Sequence, residues 1–342
     1  MRTDDLDYDL PPALIAQTPA EPRDSARLLV YDRATGAVRH RRFGDLLDEL
    51  HADDLVVLND TRVLPVRVRA RRASGGAVEV LLLEPAGDGR WHALARPLRR
   101  LRDGETLSAG DLAITILQRE RDGRVLVDVR VPGNVTGGVT VLRALERVGE
   151  MPLPPYIHRP PENPERYQTV YARHPGSAAA PTAGLHFTPA LLERMRAGHE
   201  VVQVTLGVGL DTFRPVTVTD LADHPLHSEP YAVSEEAAAA VDAARAAGRR
   251  IVAVGTTTVR VLETVWGGPA RGPLQGRTRL FITPGRTFAV TGALVTNFHL
   301  PRSTLLAMVM AFAGVEPVRS LYRTAVEERY RFYSFGDASF LT

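Results

Sequence analysis

The sequence predicts an α/β protein with a small antiparallel β-barrel or sandwich inserted into it, and three observations lead to this fold class. From residue 189 onward, helix-like and strand-like segments alternate, which is typical of a sheet covered by helices. Between residues 66 and 150, short strands recur at regular spacing between glycine turns. The length of 342 residues is sufficient for two domains. We therefore expect an α/β domain with a mixed, mostly parallel sheet at 1–65 and 151–342, and an inserted β module at 66–150.

The composition excludes several kinds of chemistry. Cysteine is absent, which rules out disulfides, thiolate zinc sites and a cysteine nucleophile. Every basic residue other than histidine is an arginine, so a Schiff-base lysine is excluded as well. Arginine favours bidentate contacts to phosphate or carboxylate, although coding bias in a GC-rich genome explains this composition equally.

The sequence predicts neither a membrane protein nor an exported one. Hydrophobic residues make up 44% of the chain, an ordinary share for a globular protein, and no apolar run approaches the length of a membrane span. Residues 1–5 are acidic and lack an apolar core, unlike a signal or transit peptide. We therefore expect a cytoplasmic location.

Three short strands and one helix are predicted before residue 66. Apolar runs at 28–31 and 55–58 indicate buried strands, and 38–43 follows a turn as the second arm of a hairpin. Residues 45–50 have the pattern of a short amphipathic helix. The strand at 55–58 ends in the polar segment 59–62. Such strand ends are where open α/β sheets bind ligands.

Periodicity predicts the elements of the β module and of the second half of the chain. Strict alternation at 66–71 indicates a half-buried strand. The module continues with strands at 78–83, 91–95, 112–117 and 125–131 and a helix at 139–148. Residues 151–157 contain too many prolines for a regular element. Beyond them we expect helices at 189–197, 234–247, 257–265 and 303–312, and strands at 201–206, 250–254, 279–282 and 288–290.

The loop at 176–188 consists of small, nearly uncharged residues and carries one histidine, His186. Its glycines allow a ligand to approach the backbone, because no Cβ stands in the way. Thr188 and Pro189 then form an N-cap and a first helical position, and a helix N-terminus can bind an anion or a polar ligand edge. On these residues alone, a ligand site and a tight connection around a buried histidine are equally good interpretations.

Other segments carry polar side chains next to predicted strand ends or helix starts, at 59–62, 227–231, 255–260 and 296–304. Asn, Thr, His and Glu from several such loops indicate one convergent polar pocket. The spacing of the histidines does not indicate a metal site. A Ser-His-Asp hydrolase would need a Gly-x-Ser-x-Gly elbow, which is missing, and there is no P-loop. The segment 207–212 lacks the third glycine of a dinucleotide-binding fingerprint.

Together these segments closely resemble the S-adenosylmethionine:tRNA ribosyltransferase-isomerase family of queuosine biosynthesis. The matching segments are long, specific and spread over nearly the whole chain. They are DYDLP at 7–11, IAQ at 15–17, EPRD at 21–24, LNDTRV at 58–63, GEMPLPPYI at 149–157, RYQTVY at 166–171, GSAAAPTAGLHFT at 176–188, FRPV at 213–216, HSE at 227–229, GTT at 255–257, TNFHLP at 296–301 and YSFGD at 333–337.

The resemblance implies a fold, a reaction and partners. Members of the family have a large α/β domain with an inserted six-stranded antiparallel β-barrel. They transfer and isomerise the ribosyl part of S-adenosylmethionine onto the aminomethyl group of 7-aminomethyl-7-deazaguanine at the tRNA wobble position, giving epoxyqueuosine-tRNA, adenine and methionine. The implied partners are S-adenosylmethionine, as a cosubstrate, and this tRNA. No metal or other cofactor is implied, and the resemblance suggests a monomer.

This chemistry needs groups that move protons and groups that hold two substrates. A base must remove a proton beside the sulfonium, the acceptor amine must lose one, and an acid assists the departure of adenine. Histidine and glutamate suit these steps near neutral pH. By the resemblance, we assign them to His186, His227, Glu229 and His299. We assign substrate binding to Asn59, Thr61, Arg62, Thr182, Gly184, Thr257 and Asn297.

Arginines in the β module are the candidates for holding the tRNA, since affinity for nucleic acid comes largely from phosphate contacts. We predict this role for Arg67, Arg69, Arg99 and Arg100. A solvated strand face and hairpin would carry the same residues, and both interpretations remain open at the level of sequence.

Four positions depart from the family's pattern. Gly207 stands where the family has histidine, Asp211 where it has glycine and Arg286 where it has tyrosine, and an aspartate expected near Gly292 is missing. These changes raise two alternatives to the tRNA enzyme. One is a divergent paralogue that uses the same chemistry on another acceptor, such as a small molecule. The other is an inactive RNA-binding protein, which the retained histidines and Glu229 disfavour.

Overall fold

The computed structural model describes residues 1–120, 123–133, 138–159, 161–209, 216–226 and 228–342. The chain forms two compact units. The first unit comprises Met1–Arg62, Pro155–His174 and Ala180–Thr342. The second comprises Val63–Pro154 and Pro175–Ala179, and so contains the range 66–150 of the predicted β module.

The regular elements are numbered in chain order. The strands are β1 Arg27–Tyr31, β2 Val38–Arg42, β3 Leu55–Asn59, β4 Thr61–Val63, β5 Arg67–Arg72, β6 Ala77–Gly87, β7 Arg90–Arg96, β8 Thr106–Ala109, β9 Leu112–Arg119, β10 Val125–Arg130, β11 Gly149–Glu150, β12 His174–Ser177, β13 Glu200–Leu206, β14 Glu229–Val233, β15 Ile251–Val254, β16 Gln275–Thr278, β17 Ala293–Asn297 and β18 Ala338–Leu341. The α-helices are α1 Gly138–Val148, α2 Pro189–Gly198, α3 Glu235–Ala246, α4 Thr256–Val265, α5 Thr304–Ala313 and α6 Val315–Glu327. Short 3₁₀ helices include Phe43–Glu49, Leu98–Arg100 and Thr182–His186.

The first unit is built on a nine-stranded sheet with the order β16-β14-β13-β3-β15-β17-β18-β1-β2. The neighbours β13, β3, β15 and β17 run parallel to one another, and β1 runs parallel to β18. The remaining neighbours are antiparallel. The predicted mixed sheet is therefore confirmed, and its parallel strands are mostly central.

One face of this sheet is buried under α2 and two 3₁₀ helices. Alternate residues of the strands point to this face, as Val56 and Leu58 of β3 show. They pack in one hydrophobic core with Phe43 and Leu191 from the covering helices and with Phe187, which directly follows the 3₁₀ helix Thr182–His186. The alternation follows from the period of two along a strand, and burial of these side chains is the main force that holds the layers together.

The second unit contains a closed antiparallel barrel. Strands β5, β6, β7, β10, β9 and β8 follow one another, and pairing of β5 with β8 closes the ring. Its interior is filled by alternate residues, such as Val78, Val80 and Leu82 of β6. Closure leaves the ring without an unpaired edge. The barrel, rather than a sandwich, is the architecture that the resemblance implies, and it is confirmed.

The strands predicted at 279–282 and 288–290 are wrong. The backbone N–H groups of 289, 290 and 291 all donate to the buried carboxylate of Glu263, so they cannot pair with a neighbouring strand. The amide of Leu280 donates to the Thr278 hydroxyl. Short apolar runs are ambiguous because such local acceptors compete with a sheet. The elements that were not predicted from the sequence are strands β4, β8, β11, β12, β14, β16, β17 and β18 and helix α6.

Among the described residues, no single helix is long and apolar enough to cross a membrane. Helices α5 and α6 meet that criterion only as a pair, by length and composition, and the pair is bent by 115° at the break between them. Most residues of α5 are buried within the first unit.

Candidate active site

The carboxyl ends of four neighbouring parallel strands meet at one edge of the nine-stranded sheet: β13, β3, β15 and β17. A small pocket lies there. It is lined by Ala180, Pro181, Thr182, Ala183, Val208, Gly255, Thr256, Thr257, Thr296, Asn297, His299 and Leu305. The pocket is therefore located where open α/β sheets bind ligands.

The amino terminus of α4 forms one wall of the pocket. Gly255, just before it, has a φ of 92°, where a residue with a Cβ would be strained. This turn brings Thr256 and Thr257, in the first turn of α4, to the pocket. The first N–H groups of a helix have no partner within it and carry the positive end of its dipole. This wall therefore favours ligand atoms with lone pairs or negative charge.

Asn59 connects the ends of β3 and β13 to this wall. Its Nδ2 donates to the carbonyl of Leu206 at 3.3 Å and to Oγ1 of Thr257 at 3.0 Å. Its Oδ1 accepts from the amides of Leu206 and Thr61 at 3.1 Å and 3.2 Å. The side chain thus uses its donors and its acceptor within the protein. Asn59 positions Thr257, which lines the pocket.

Asn297 lines the pocket, and His186 lies behind it. The Nδ2 atom of Asn297 donates to the carbonyl of Tyr333 at 3.1 Å and lies 3.2 Å from Nε2 of His186. A carbonyl can only accept, so the amide atom that faces Tyr333 must be the nitrogen. The Nε2 atom of His186 consequently accepts from the amide, and the imidazole carries its proton on Nδ1.

The surroundings of His186 keep it neutral. Its ring stacks on Phe43 with the centroids 4.8 Å apart. Burial, with smaller effects from the Arg331 and Arg23 charges, lowers the pKa of His186 to about 3. A group with this pKa, whose Nε2 lone pair is already occupied, is a poor general base near neutral pH. The geometry therefore favours a supporting role for His186 in place of the catalytic role expected from the sequence.

His299 lines the pocket directly. Its Nε2 is hydrogen-bonded to Oγ1 of Thr296 at 2.7 Å, and its backbone N–H donates to the hydroxyl of Tyr322 at 3.0 Å. Burial lowers the pKa of His299 to about 3. A neutral imidazole can donate a hydrogen bond to developing negative charge at pH 7. This arrangement suits hydrogen bonding to a leaving group better than proton abstraction.

Glu229, at the start of β14, is bound to a residue that was not singled out from the sequence. Its carboxylate forms a buried ion pair with Arg260 of α4, and its Oε1 accepts from the amide of Gly209 at 2.8 Å. Burial lowers the pKa of Arg260 to about 10, which leaves the guanidinium charged at pH 7. Glu229 therefore joins β14 to α4 and to the segment after β13. The single arginine of the helix 256–265 is the signal that could have revealed this pair.

Three further residues of the first unit were predicted to belong to the site: Thr182, Gly184 and His227. Thr182 lines the pocket. Gly184 packs so closely on Tyr171 that a Cβ would lie 2.0 Å from the tyrosine hydroxyl, so packing alone requires glycine there. His227 lies outside the described residues.

Thr61 and Arg62 follow Asn59 but are not among the residues that line the pocket in the described structure. The buried Thr61 hydroxyl has no partner among the described residues. Arg62 forms an ion pair with Glu165 at 2.8 Å. The structure thus brings Thr182, Thr257, Asn297 and His299 together at the pocket and places these two outside it.

The four arginines predicted to bind tRNA, all in the second unit, have different surroundings. Arg69 forms an ion pair with Glu150 at 2.7 Å, and Arg67 is half-buried and donates to a backbone carbonyl. Arg99 and Arg100 are exposed in a short 3₁₀ helix. Neither of the two forms an ion pair with a described residue. Arg99 and Arg100 are therefore the better placed to meet a phosphate.

Two of the four departures from the family's pattern lie far from the pocket. Gly292 precedes β17, and Asn297 at the pocket is five residues further along, which corresponds to about 16 Å of strand. Arg286 lies beside Gly267, beyond the carboxyl end of α4. The length of α4 puts it about 16 Å from the pocket wall. Both positions were expected in segments that form the pocket, and the structure places both of them away from it.

The remaining departures are Gly207 and Asp211. Gly207 is buried and directly precedes Val208, which lines the pocket. Asp211 lies outside the described residues. Any difference in acceptor between this chain and its relatives is therefore to be sought around Gly207 and Asp211.

Comparison with known proteins places the whole chain in one family. Residues 3–341 match the family described as queuosine biosynthesis protein. The chain is 53% identical to the S-adenosylmethionine:tRNA ribosyltransferase-isomerase of Symbiobacterium thermophilum, over 99% of each chain. It is also 53% identical to the protein of that name from Rubrobacter xylanophilus, over 100% of this chain and 98% of the relative.

A solved structure supports the same relationship. The crystal structure of an S-adenosylmethionine tRNA ribosyltransferase from Thermotoga maritima is 37% identical and has a TM-score of 0.56, over 99% of this chain and 100% of that one. The predicted fold class, an α/β unit with an inserted barrel, is confirmed. The chain belongs to the queuosine biosynthesis protein family.

Proposed function

We propose that this chain is an S-adenosylmethionine:tRNA ribosyltransferase-isomerase. It transfers and isomerises the ribosyl moiety of S-adenosylmethionine onto the aminomethyl group of 7-aminomethyl-7-deazaguanine at the tRNA wobble position, with release of adenine and methionine. The observation that carries this proposal is 53% identity to two enzymes of that name over nearly their full lengths. The polar pocket at the strand ends supports it.

S-adenosylmethionine binds in this pocket. Threonine hydroxyls and the first N–H groups of α4 offer hydrogen bonds to it, and the small side chains of Ala180 and Ala183 line the same pocket. None of the described lining residues is charged. The site therefore recognises its ligand through neutral hydrogen bonds, shape and the dipole of α4.

The four residues predicted to be catalytic have different roles, and only His299 and His227 act on the reacting groups. His299 lines the pocket and, as a neutral imidazole, donates a hydrogen bond to adenine as it leaves. His186 supports Asn297 from behind. Glu229 holds Gly209, one residue after the pocket residue Val208. We assign the removal of a proton beside the sulfonium to His227, two residues before Glu229 in the chain.

The tRNA is held through its phosphates by Arg99 and Arg100 of the barrel unit. Their guanidinium groups are exposed and form no ion pair with a described residue, so no pairing has to be broken before they meet a phosphate. As the resemblance to the family implies, we propose that no metal or other cofactor takes part and that S-adenosylmethionine is consumed as a cosubstrate. We further propose that the protein acts as a monomer, as the resemblance to its family suggests, and that it acts in the cytoplasm.

The function is tested by incubating the purified chain with S-adenosylmethionine and three acceptors. These are tRNA carrying 7-aminomethyl-7-deazaguanine, the same tRNA without it, and the free deazaguanine base. We expect adenine release with the first alone. Release with the free base alone would instead support a paralogue that acts on a small molecule, and release with none of them would support an inactive RNA-binding protein.

A further inference from the structure

One hydrogen-bond acceptor in the pocket has no partner within the protein. The Oδ1 atom of Asn297 is buried and unpaired among the described residues. The Nδ2 atom of the same amide is committed to Tyr333 and His186, and neither of these residues lines the pocket. Because Asn297 lines the pocket, this oxygen is the atom of its amide that remains available to a ligand. Buried acceptors are nearly always satisfied, so this one calls for a donor.

The orientation of the amide is fixed from two sides. Tyr333 has a φ of 74°, a conformation that bulky residues rarely adopt and that persists only where the surroundings enforce it. Its carbonyl accepts from Asn297, and its N–H donates to the carbonyl of Phe298 at 3.0 Å. On the other side, the neutral imidazole of His186 offers only a lone pair at Nε2. A flipped amide would place oxygen against both acceptors.

We infer that Oδ1 of Asn297 accepts a hydrogen bond from the exocyclic amino group of the adenine ring of S-adenosylmethionine, and that His186 is the residue that positions it. The inference rests on the proposed function, because it identifies which part of the cosubstrate this pocket recognises.

The lining of the pocket favours a neutral amino group over an ammonium. The described lining residues include no carboxylate, and the first turn of α4 presents the positive end of a dipole. Adenine carries its amino donor beside ring nitrogens that accept hydrogen bonds. That edge matches an amide oxygen on one wall and the N–H groups of Thr256 and Thr257 on another. A 7-deazaguanine lacks the ring nitrogen at position 7 and offers a poorer match.

The test compares the dissociation constants of S-adenosylmethionine and of its 6-deamino analogue, in which purine replaces adenine. For the wild-type chain we expect S-adenosylmethionine to bind about 10- to 100-fold more tightly, because the analogue leaves a buried acceptor unpaired. In Asn297→Leu the two ligands should bind with nearly equal affinity. His186→Leu should lose most of the preference, whereas His186→Gln, whose Oε1 can accept from the Asn297 amide, should keep most of it.

The ratio of the two dissociation constants is insensitive to general destabilisation, and the wild-type measurement requires no variant to fold. Equal binding of both ligands by the wild type, or full discrimination retained in Asn297→Leu, would overturn the inference. Discrimination without any transfer to tRNA would leave the inference standing and refute the proposed function. Transfer to tRNA without discrimination between the two ligands would refute the inference and leave the proposed function standing. Failure of the wild type to bind S-adenosylmethionine would refute both.

Discussion

The Nε2 atom of His186 and the Nδ2 atom of Asn297 lie 3.2 Å apart, with Asn297 at the pocket and His186 behind it. The histidine that the sequence singles out therefore acts on a ligand through an amide. This arrangement needs a neutral imidazole, and burial provides it by lowering the pKa of His186 to about 3. Burial also lowers the pKa of His299 to about 3. Two buried neutral histidines have a measurable consequence for stability.

We predict that the protein loses stability as the pH falls from 7 to 5, partly through His186 and His299. Their folded-state pKa values of about 3 lie below the ordinary value of 6.5, so between these values the unfolded chain binds protons that the folded chain does not. The contribution of each histidine is complete above pH 6.5 and is lost as the pH falls towards 3. The loss by pH 5 is about 2 kcal/mol per histidine.

Urea unfolding at several pH values measures this effect. In His186→Gln the decline of the unfolding free energy between pH 7 and 5 should be smaller than in the wild type by about 2 kcal/mol. Above pH 7.5 the two curves should run parallel, whatever the offset between them. Identical pH dependence of variant and wild type below pH 6.5 would show that His186 protonates in the folded state.

Removing one partner of the Glu229–Arg260 pair should strongly destabilise the first unit. The pair is buried, and loss of one member leaves an uncompensated charge, which costs about 3–5 kcal/mol. Arg260→Met and Glu229→Gln should each show this loss in denaturant unfolding. The double variant should recover part of it, because neither charge then remains buried alone.

The exposed pair Arg249–Glu200 is the matched control. The Nη1 atom of Arg249 lies 2.7 Å from Oε2 of Glu200, and the Glu200 side chain is 44% exposed. Glu200→Gln should therefore lower the free energy of unfolding by less than about 1 kcal/mol. Comparable effects at the two pairs would contradict the structural role given to Glu229.

Gly184→Ala should destabilise the protein through a clash with Tyr171. The new methyl group would lie 2.0 Å from the tyrosine hydroxyl and 2.9 Å from a methyl group of Thr169, and such overpacking costs about 1–3 kcal/mol. Tyr171→Phe removes a buried hydroxyl that has no partner among the described residues. It should therefore be well tolerated alone and should relieve part of the clash in the double variant. Thermal unfolding of the four proteins gives the coupling, and strictly additive effects would argue against this contact.

Reversing the charge at Arg99 and Arg100 together should weaken tRNA binding and flatten its dependence on salt. Each phosphate that the protein no longer neutralises reduces the steepness of log K against log salt by about 0.7 to 0.9. Arg69→Glu introduces the same change of charge per residue at a position already paired with Glu150, so it should have a smaller effect. Filter binding at several salt concentrations measures both. Equal effects, or none, would place the tRNA elsewhere.

Much of this architecture follows from local patterns. The alternation in the barrel strands, the capped start of α2 and the glycine before α4 are each visible within a few residues. The polar strand ends also predict a shared pocket, and in the structure Thr182, Thr257 and Asn297 line one pocket. Carboxyl ends of parallel strands share one edge of a sheet, so polar groups there converge without any knowledge of tertiary contacts.

What the sequence could not show depends on contacts between distant residues. Nothing local to His186 reveals that an amide occupies its Nε2, or that Gly184 packs on Tyr171 and is not among the described residues that line the pocket. The segment 288–290 has the apolar pattern of a strand, but a carboxylate from α4 binds its N–H groups. Strand β17 was missed because its last two residues belong to the segment 296–301, which was interpreted as part of a polar loop.

The most direct test of the proposed function uses S-adenosylmethionine labelled with carbon-13 in its ribose. The purified chain is incubated with this cosubstrate and with tRNA carrying 7-aminomethyl-7-deazaguanine, and the wobble nucleoside is then analysed by mass spectrometry. We predict that all five labelled carbons appear in that nucleoside, with one adenine released for each. Unlabelled tRNA under conditions where S-adenosylmethionine is consumed would contradict the proposed function.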